Sequence, residues 1–353
     1  MALVAYLQEY EEVDKAKVAK RGGRYSMKRF IVISTIILCG LGLLAILLEA
    51  EQRLKATREQ KFVFRYKINE PMVYSMGMKM RIDMQDEVNV NNKTTTTTEL
   101  RYRFKLTPLR ASEDEITTIR LEPLDLEGDW NIITPDRHIV LFLRGSKMKG
   151  TVNGVTIIDT EKGIGVVEAE EFKKEILPLY LSGEIDIDSK GNVKGLSGDI
   201  PFVEFWKEVL DHQTSFFGIV FPDRAIAIGD TWTETLTLKK IGEIELTGKG
   251  LRCTVTFTRL PDIRTQEERL AVFSLFAPCS IEGLTGFMEY EGEIIRVHIS
   301  HLDLTASGTI HFDKDKGVFI DGTMKEIVVA NISLQNRVVK MSLSTETTIN
   351  LIQ

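Results

Sequence analysis

The sequence predicts a mainly β protein. It reads as a long curved antiparallel sheet or half-barrel packed on one or two helices, preceded by one transmembrane helix. Three observations predict this. Residues 72–84 alternate strictly between apolar and mostly polar side chains, residues 30–48 form an uncharged apolar run, and residues 202–210 carry one apolar face at helical spacing.

Residues 30–48 read FIVISTIILCGLGLLAILL. As a helix this run spans about 28 Å, close to the hydrocarbon thickness of a bilayer. Arg21, Arg24, Lys28 and Arg29 precede it, whereas Arg53, Lys55 and Arg58 follow among Glu49, Glu51 and Glu59. That bias places the N-terminus on the cytoplasmic side of the cell membrane. A cleaved signal peptide starting at Met27-Lys28-Arg29 is the competing reading. The run is long for a signal core, and Glu49-Ala50-Glu51-Gln52 is a poor cleavage site, so a retained single-pass anchor is favoured. The expected organisation is a cytoplasmic tail (1–26), an anchor (27–48) and a helix-prone stalk (49–61). An exported, extracytoplasmic β-rich domain (62–353) follows, with two lobes meeting near 201–232.

In the large domain Met72, Tyr74, Met76, Met78, Met80, Ile82 and Met84 occupy every second position. Successive side chains of a strand face opposite ways, so one face of this strand is apolar. Leu100, Tyr102, Phe104 and Leu106 repeat the pattern, and Asn91-Asn92-Lys93 with the threonines 94–98 are read as the turn of a long hairpin. Val339, Met341, Leu343, Ile349 and Leu351 alternate in the same way. Shorter strands are expected near 116–122, 138–144, 152–159, 183–188, 233–238, 251–259, 270–276, 294–312 and 318–330. Two helices interrupt them, at 168–176 and at 202–213. In the second, Phe202, Phe205, Trp206, Val209 and Leu210 share one face, with Pro201 in the first turn.

Chemical signatures are sparse. The net charge of −6 argues against nucleic acid as a partner. Asp186-Ile187-Asp188-Ser189-Lys190-Gly191 and Asp313-Lys314-Asp315-Lys316-Gly317 lack the ligands of a calcium loop and read as hairpin turns. His298 and His301 are three apart, so on a regular strand they face opposite sides unless a bulge intervenes. Ser146-Lys147-Met148-Lys149 reads as a turn, not as a serine–lysine catalytic pair. No cofactor or catalytic motif is present. Cys253 and Cys279 could close one disulfide in an oxidising compartment, or remain two buried thiols.

The best functional hint is the methionine row. Methionine is flexible and polarizable, so it suits a surface that adapts to varied apolar shapes, and it equally fills an ordinary core. If the row lines a groove, Tyr74, Met76, Met78, Met80 and Met84, with Phe205 and Trp206 from the helix, form its lining. The expected function is a membrane-anchored exported binding domain for a lipid, another hydrophobic ligand or a lipidated protein. The alternatives are an envelope scaffold with a dry core, and a hydrolase.

Two stretches add a resemblance. Residues 221–232, with Pro222 ahead of Gly229-Asp230-Thr231-Trp232, and Gly308 with Phe312-Asp313 and Gly317 downstream, resemble motifs of a family of exported, β-rich bacterial proteins of unknown function. The resemblance implies a β-rich exported domain and no activity. At the level of fold, an anchor followed by long amphipathic strands is similar to periplasmic lipid and lipoprotein carriers. Gly128-Asp129-Trp130 and Gly229-Asp230-Thr231-Trp232 further hint at two related halves.

Overall fold

The computed structural model describes residues 61–87, 92–113, 115–175, 177–203, 207, 222–238, 240–241, 244–248, 250–264, 269–290, 293–334 and 337–352. The expected anchor and stalk, and most of the helix expected over 202–213, lie outside the described residues.

The strands are long because their alternation is uninterrupted. β1 (Met72–Asp86), β2 (Lys93–Ala111) and β3 (Ile116–Ile133) form one meander. β13 (Arg269–Tyr290), β14 (Glu293–Asp313), β15 (Val318–Leu334) and β16 (Arg337–Leu351) form another. At about 3.4 Å per residue these strands reach about 50 to 75 Å. β16 pairs with β1 in antiparallel register, Tyr74 opposite Leu351 and Met84 opposite Met341, which joins the two meanders into one open sheet. Seven long strands therefore lie in the order β13-β14-β15-β16-β1-β2-β3.

Each outermost long strand forks. The first half of β3 pairs with β7 (Gly183–Asp188), and its second half pairs with β4 (His138–Arg144). Likewise β13 pairs first with β12 (Leu251–Arg264) and later with β11 (Ile244–Leu246). A proline sits at each fork. Pro123 lies between Leu121, the last residue of β3 on β7, and Glu127, the first on β4. Pro278 lies between Phe276, paired with β12, and Gly286, paired with β11. Proline cannot donate to the ladder, so it is tolerated where that side of the strand has no partner.

The remaining strands extend the two arms. β5 (Lys147–Val152) and β6 (Val155–Asp159) follow β4, and β8 (Val193–Gly198) follows β7. On the other arm β9 (Thr231–Leu238) pairs with β12, and β10 (Lys240–Ile241) pairs with β11. The β5–β6 turn is Asn153-Gly154, both at positive φ, as a tight hairpin requires. One helix, α1 (Val166–Glu175), sets Phe172 edge-on to Trp130, and a 3-10 turn at Leu177–Tyr180 follows it. Phe202 is buried with its ring seated on Gly183, where a side chain would collide with it.

Several expectations are corrected. The threonines 94–98 are part of strand β2, because β-branched side chains suit an extended backbone and here find partners on β1 and β3. β3 runs on to Ile133, so Gly128-Asp129-Trp130 is strand, with the Trp130 ring folded over Gly128. Gly229, by contrast, is a turn residue at φ +90. The two Gly-Asp motifs are therefore not equivalent positions of related halves. β5 and β8 are additional strands that the alternation does not separate from their neighbours.

The resembling motifs are turns with structural roles. The Asp230 carboxylate accepts the Ala227 N–H and pairs with Arg224 at 3.0 Å, while Trp232 stacks on Phe257. The Asp313 carboxylate accepts the N–H groups of Asp315 and Lys316. Gly317, at φ +74, accepts the Arg65 N–H through its carbonyl at 3.1 Å. Across the fold, Phe64 donates its N–H to Ser189 O in the β7–β8 turn. Residues 62–66 are thus clamped between two hairpin turns, and Phe62 and Phe64 meet Phe312 edge-on.

Candidate functional site

The sheet has two chemically different faces. On the first, Tyr74 is 3% exposed, Met76 and Met78 1%, Met80 3% and Ile82 1%, while Met72 and Met84 at the ends are half-buried. Across the neighbouring strands this face continues through Tyr102, Phe104, Leu343, Ile349 and Met324. Tyr74 stacks on Phe104 at 5.6 Å and donates its hydroxyl to Phe319 O at 3.3 Å. The expected lining residues on β1 therefore lie together on one covered face. Phe205 and Trp206 lie outside the described residues.

The second face is a ladder of charges. Lys325–Glu346, Lys79–Glu99, Arg101–Glu127 and Arg103–Asp125 pair across strands at 3.1, 3.0, 3.4 and 2.9 Å. Glu346 also stands opposite Lys79, so signs alternate over four adjacent strands. Each exposed pair contributes little alone. Together they make this the solvated side. A membrane-spanning barrel needs an apolar outer band, which is the reverse of this arrangement.

Within the covered face lies a polar band that the sequence reading missed. Thr96 and Thr347 are 0% exposed, Thr98 1%, Thr345 4% and Glu326 7%. The four threonine hydroxyls and Glu326 Oε2 have no hydrogen-bond partner among the described residues. Register places them on one stretch of this face, on either side of Met80. Glu326 faces Thr345, Thr345 faces Met80, and Met80 faces Thr98 on its other side. Thr347 and Thr96 lie one step along the same face, in opposite directions. Burial pushes the Glu326 carboxyl up to about 7. A buried polar group left unpaired costs about 1–3 kcal/mol. The signal is present in the alternation: Thr96 and Thr98 continue the inward register of Leu100, Thr345 and Thr347 that of Leu343, and Glu326 that of Met324.

Other candidate groups come together differently from the expectations. Cys253 and Cys279 are buried free thiols, and Cys253 has as its neighbour Cys279, whose thiol donates to Arg252 O at 3.5 Å. Burial first, and that neighbour second, push the Cys253 thiol up. A bulge between Ile299 and His301 turns His298 and His301 toward the solvated face. No group of three metal-binding side chains occurs among the described residues. Ser280 and His301 both hydrogen-bond Asp303, which holds its carboxyl below the usual range. The carboxylate stands between hydroxyl and imidazole, so the imidazole does not address the serine as a base must.

Two surface depressions lie elsewhere, one lined by Arg120, Glu184 and Ser197, the other by Phe64, Arg65, Tyr66, Glu115 and Ser189. Neither touches the methionine row. No helix among the described residues is long and apolar enough to cross a membrane.

No protein-family model matches the chain, and no curated protein matches it in sequence. Among solved structures it is similar to lipovitellin, described for its lipid–protein interactions, at 9% identity and a TM-score of 0.43. That likeness covers 82% of this chain and 26% of the other, so the chain spans about a quarter of the lipovitellin chain. The transport unit of the autotransporter AIDA-I from Escherichia coli matches at 8% identity and a TM-score of 0.24, over 94% of this chain and 100% of that one. The translocator domain of the autotransporter NalP from Neisseria meningitidis matches at 6% identity and a TM-score of 0.21, over 79% and 88%.

Proposed function

We propose that this protein is a membrane-anchored, extracytoplasmic binding domain that holds a hydrophobic ligand or the lipid of a lipidated partner. The observation that carries the reading is the apolar row of Tyr74, Met76, Met78, Met80 and Met84 along one face of β1, set against an opposite face that bears a cross-strand ladder of charges. Flexible thioethers on a rigid sheet can reshape around chains of different form while the backbone stays fixed. Register shifts at Arg103/Phe104, Pro108/Arg110 and Ile299/His301 mark bulges, which increase the local twist of a strand. The anchor at 27–48 keeps the domain beside the bilayer that supplies the ligand. The reading involves no catalytic step.

The experiment is lipid extraction and mass spectrometry of the protein purified from its native membrane. A defined set of bound lipids, lost on substitution of Met78 and Met80 by lysine, is expected. Protein that carries no lipid and rebinds none after delipidation overturns the reading. The low exposure of the methionine row favours one second reading, a dry core beneath a working charged face. In that case cross-linking through Lys79, Glu99 and Arg101 traps a protein partner, and lipid is absent.

A further inference from the structure

The covered face holds more polarity than a chain-binding surface needs. Five groups, Glu326 Oε2 and the hydroxyls of Thr96, Thr98, Thr345 and Thr347, are buried and without partners among the described residues, Glu326 and the β16 threonines on one side of β1 and the β2 threonines on the other. They lie on β15, β16 and β2, with Met80 of β1 between Thr345 and Thr98, and reach across about 14 Å at the usual strand spacing. Apolar rows flank them in both directions along the strands: Met76, Tyr102 and Ile349 on one side, Met84, Met341 and Ala330 on the other. The ionisable member of the band is an acid. The one buried base among the described residues, Arg259, is on β12 and is held there by Asp262.

We propose that this band is a headgroup site. It takes an amphipathic ligand whose polar end carries hydrogen-bond donors and no negative charge, an amine or a hydroxyl-bearing group. The inference rests on the reading of the methionine face as a ligand surface and names the ligand class for that face. Threonine hydroxyls both donate and accept, whereas an ionised carboxylate only accepts. Above about pH 7, where the Glu326 carboxyl is ionised, such a set satisfies an ammonium or a polyol and repels a carboxylate or a phosphate, which would bring acceptors to an acceptor. The apolar rows on either side then hold the chains. The band fixes where along the sheet the polar end stops.

The test uses full-length protein, delipidated and held in amphipol, and four probes that share one chain: hexadecylamine, monopalmitoylglycerol, palmitate and methyl palmitate. Each competes with a fluorescent acyl probe, and empty amphipol supplies the background. The amine and the glycerol ester are expected to displace it at about tenfold lower concentration than the other two. Glu326→Leu with Thr345→Val should abolish that preference, so that the four probes compete equally on that variant. Glu326→Gln, which keeps the shape, should weaken the amine selectively. If none of the four displaces the probe, the ligand-surface reading itself fails. If all four compete equally, if palmitate is preferred, or if the double variant keeps the wild-type ranking, the headgroup site alone is refuted and the band holds water.

Discussion

Gly317 is the position where a single methyl group tests the clamp on residues 62–66. Its φ is +74, a region that costs an L-residue about 1–2 kcal/mol. A Cβ there would sit 2.7 Å from Arg65 Cβ and 2.9 Å from Arg65 N, inside normal contact. Relieving that clash pushes the segment outward and breaks the Arg65 N–H bond to Gly317 O, worth about 1 kcal/mol. Gly317→Ala should therefore cost about 3 kcal/mol. Gly145 supplies the control, because it has φ +57 and nothing within 4 Å of the place a methyl group would take. Gly145→Ala should cost only the backbone term, about 1 kcal/mol. Urea unfolding of both variants gives the two values. Trypsin should also cut at Lys61 and Arg65 faster in the Gly317 variant. Equal stability of the two variants, with no new cleavage at Arg65, would refute the clamp.

Further outcomes follow from groups already described. Under oxidising conditions the neighbouring Cys253 and Cys279 thiols should close a loop worth about 3.5 kcal/mol; alkylation mass spectrometry that finds both thiols still free after mild oxidation of the folded protein counts against it. Glu326 gives a pH signature in the ligand-free protein. Its folded value is raised from 4.5 to about 7, so the folded state holds a proton that the unfolded state has released. Stability from this group is full below about pH 4.5 and is lost as pH rises through about 7, by about 3 kcal/mol. Its partners across the strands, Ala306 and Thr345, carry no charge, so Glu326→Gln should flatten that part of the denaturation profile. Phe104→Ala removes a buried ring stacked between Tyr74 and Tyr102 and should cost about 4 kcal/mol by chemical denaturation. A loss under about 1 kcal/mol would mean the covered face is loosely filled.

Much of the sheet is legible in side-chain alternation, because burial on one face imposes a period of two wherever a strand is long. Met72 to Met84 and Val339 to Leu351 each stand out in this way. The pairing of these two strands does not, since no local signal says which distant strand completes a ladder. Pro123 and Pro278 look like strand breakers until the forks of β3 and β13 show that each faces a gap in its ladder. The threonines near 94–98 read as a turn because polar residues beside Asn91-Asn92 suit one. Their burial depends on β1 and β3, whose pairing with β2 no local pattern announces. The polar band is hidden for the same reason: Glu326 and Thr345 become neighbours only through the β15–β16 ladder.

The β1–β16 ladder also bears on how this domain can be made. Its partners, from Tyr74 with Leu351 to Met84 with Met341, are separated by nearly the whole described length. A polypeptide emerging in order exposes the β1 edge long before its mate on β16 arrives. Loop closure over such a distance is slow, and an unpaired edge invites association with other chains. A late truncation that removes β16 would leave two separate half-sheets, each with a bare inner margin.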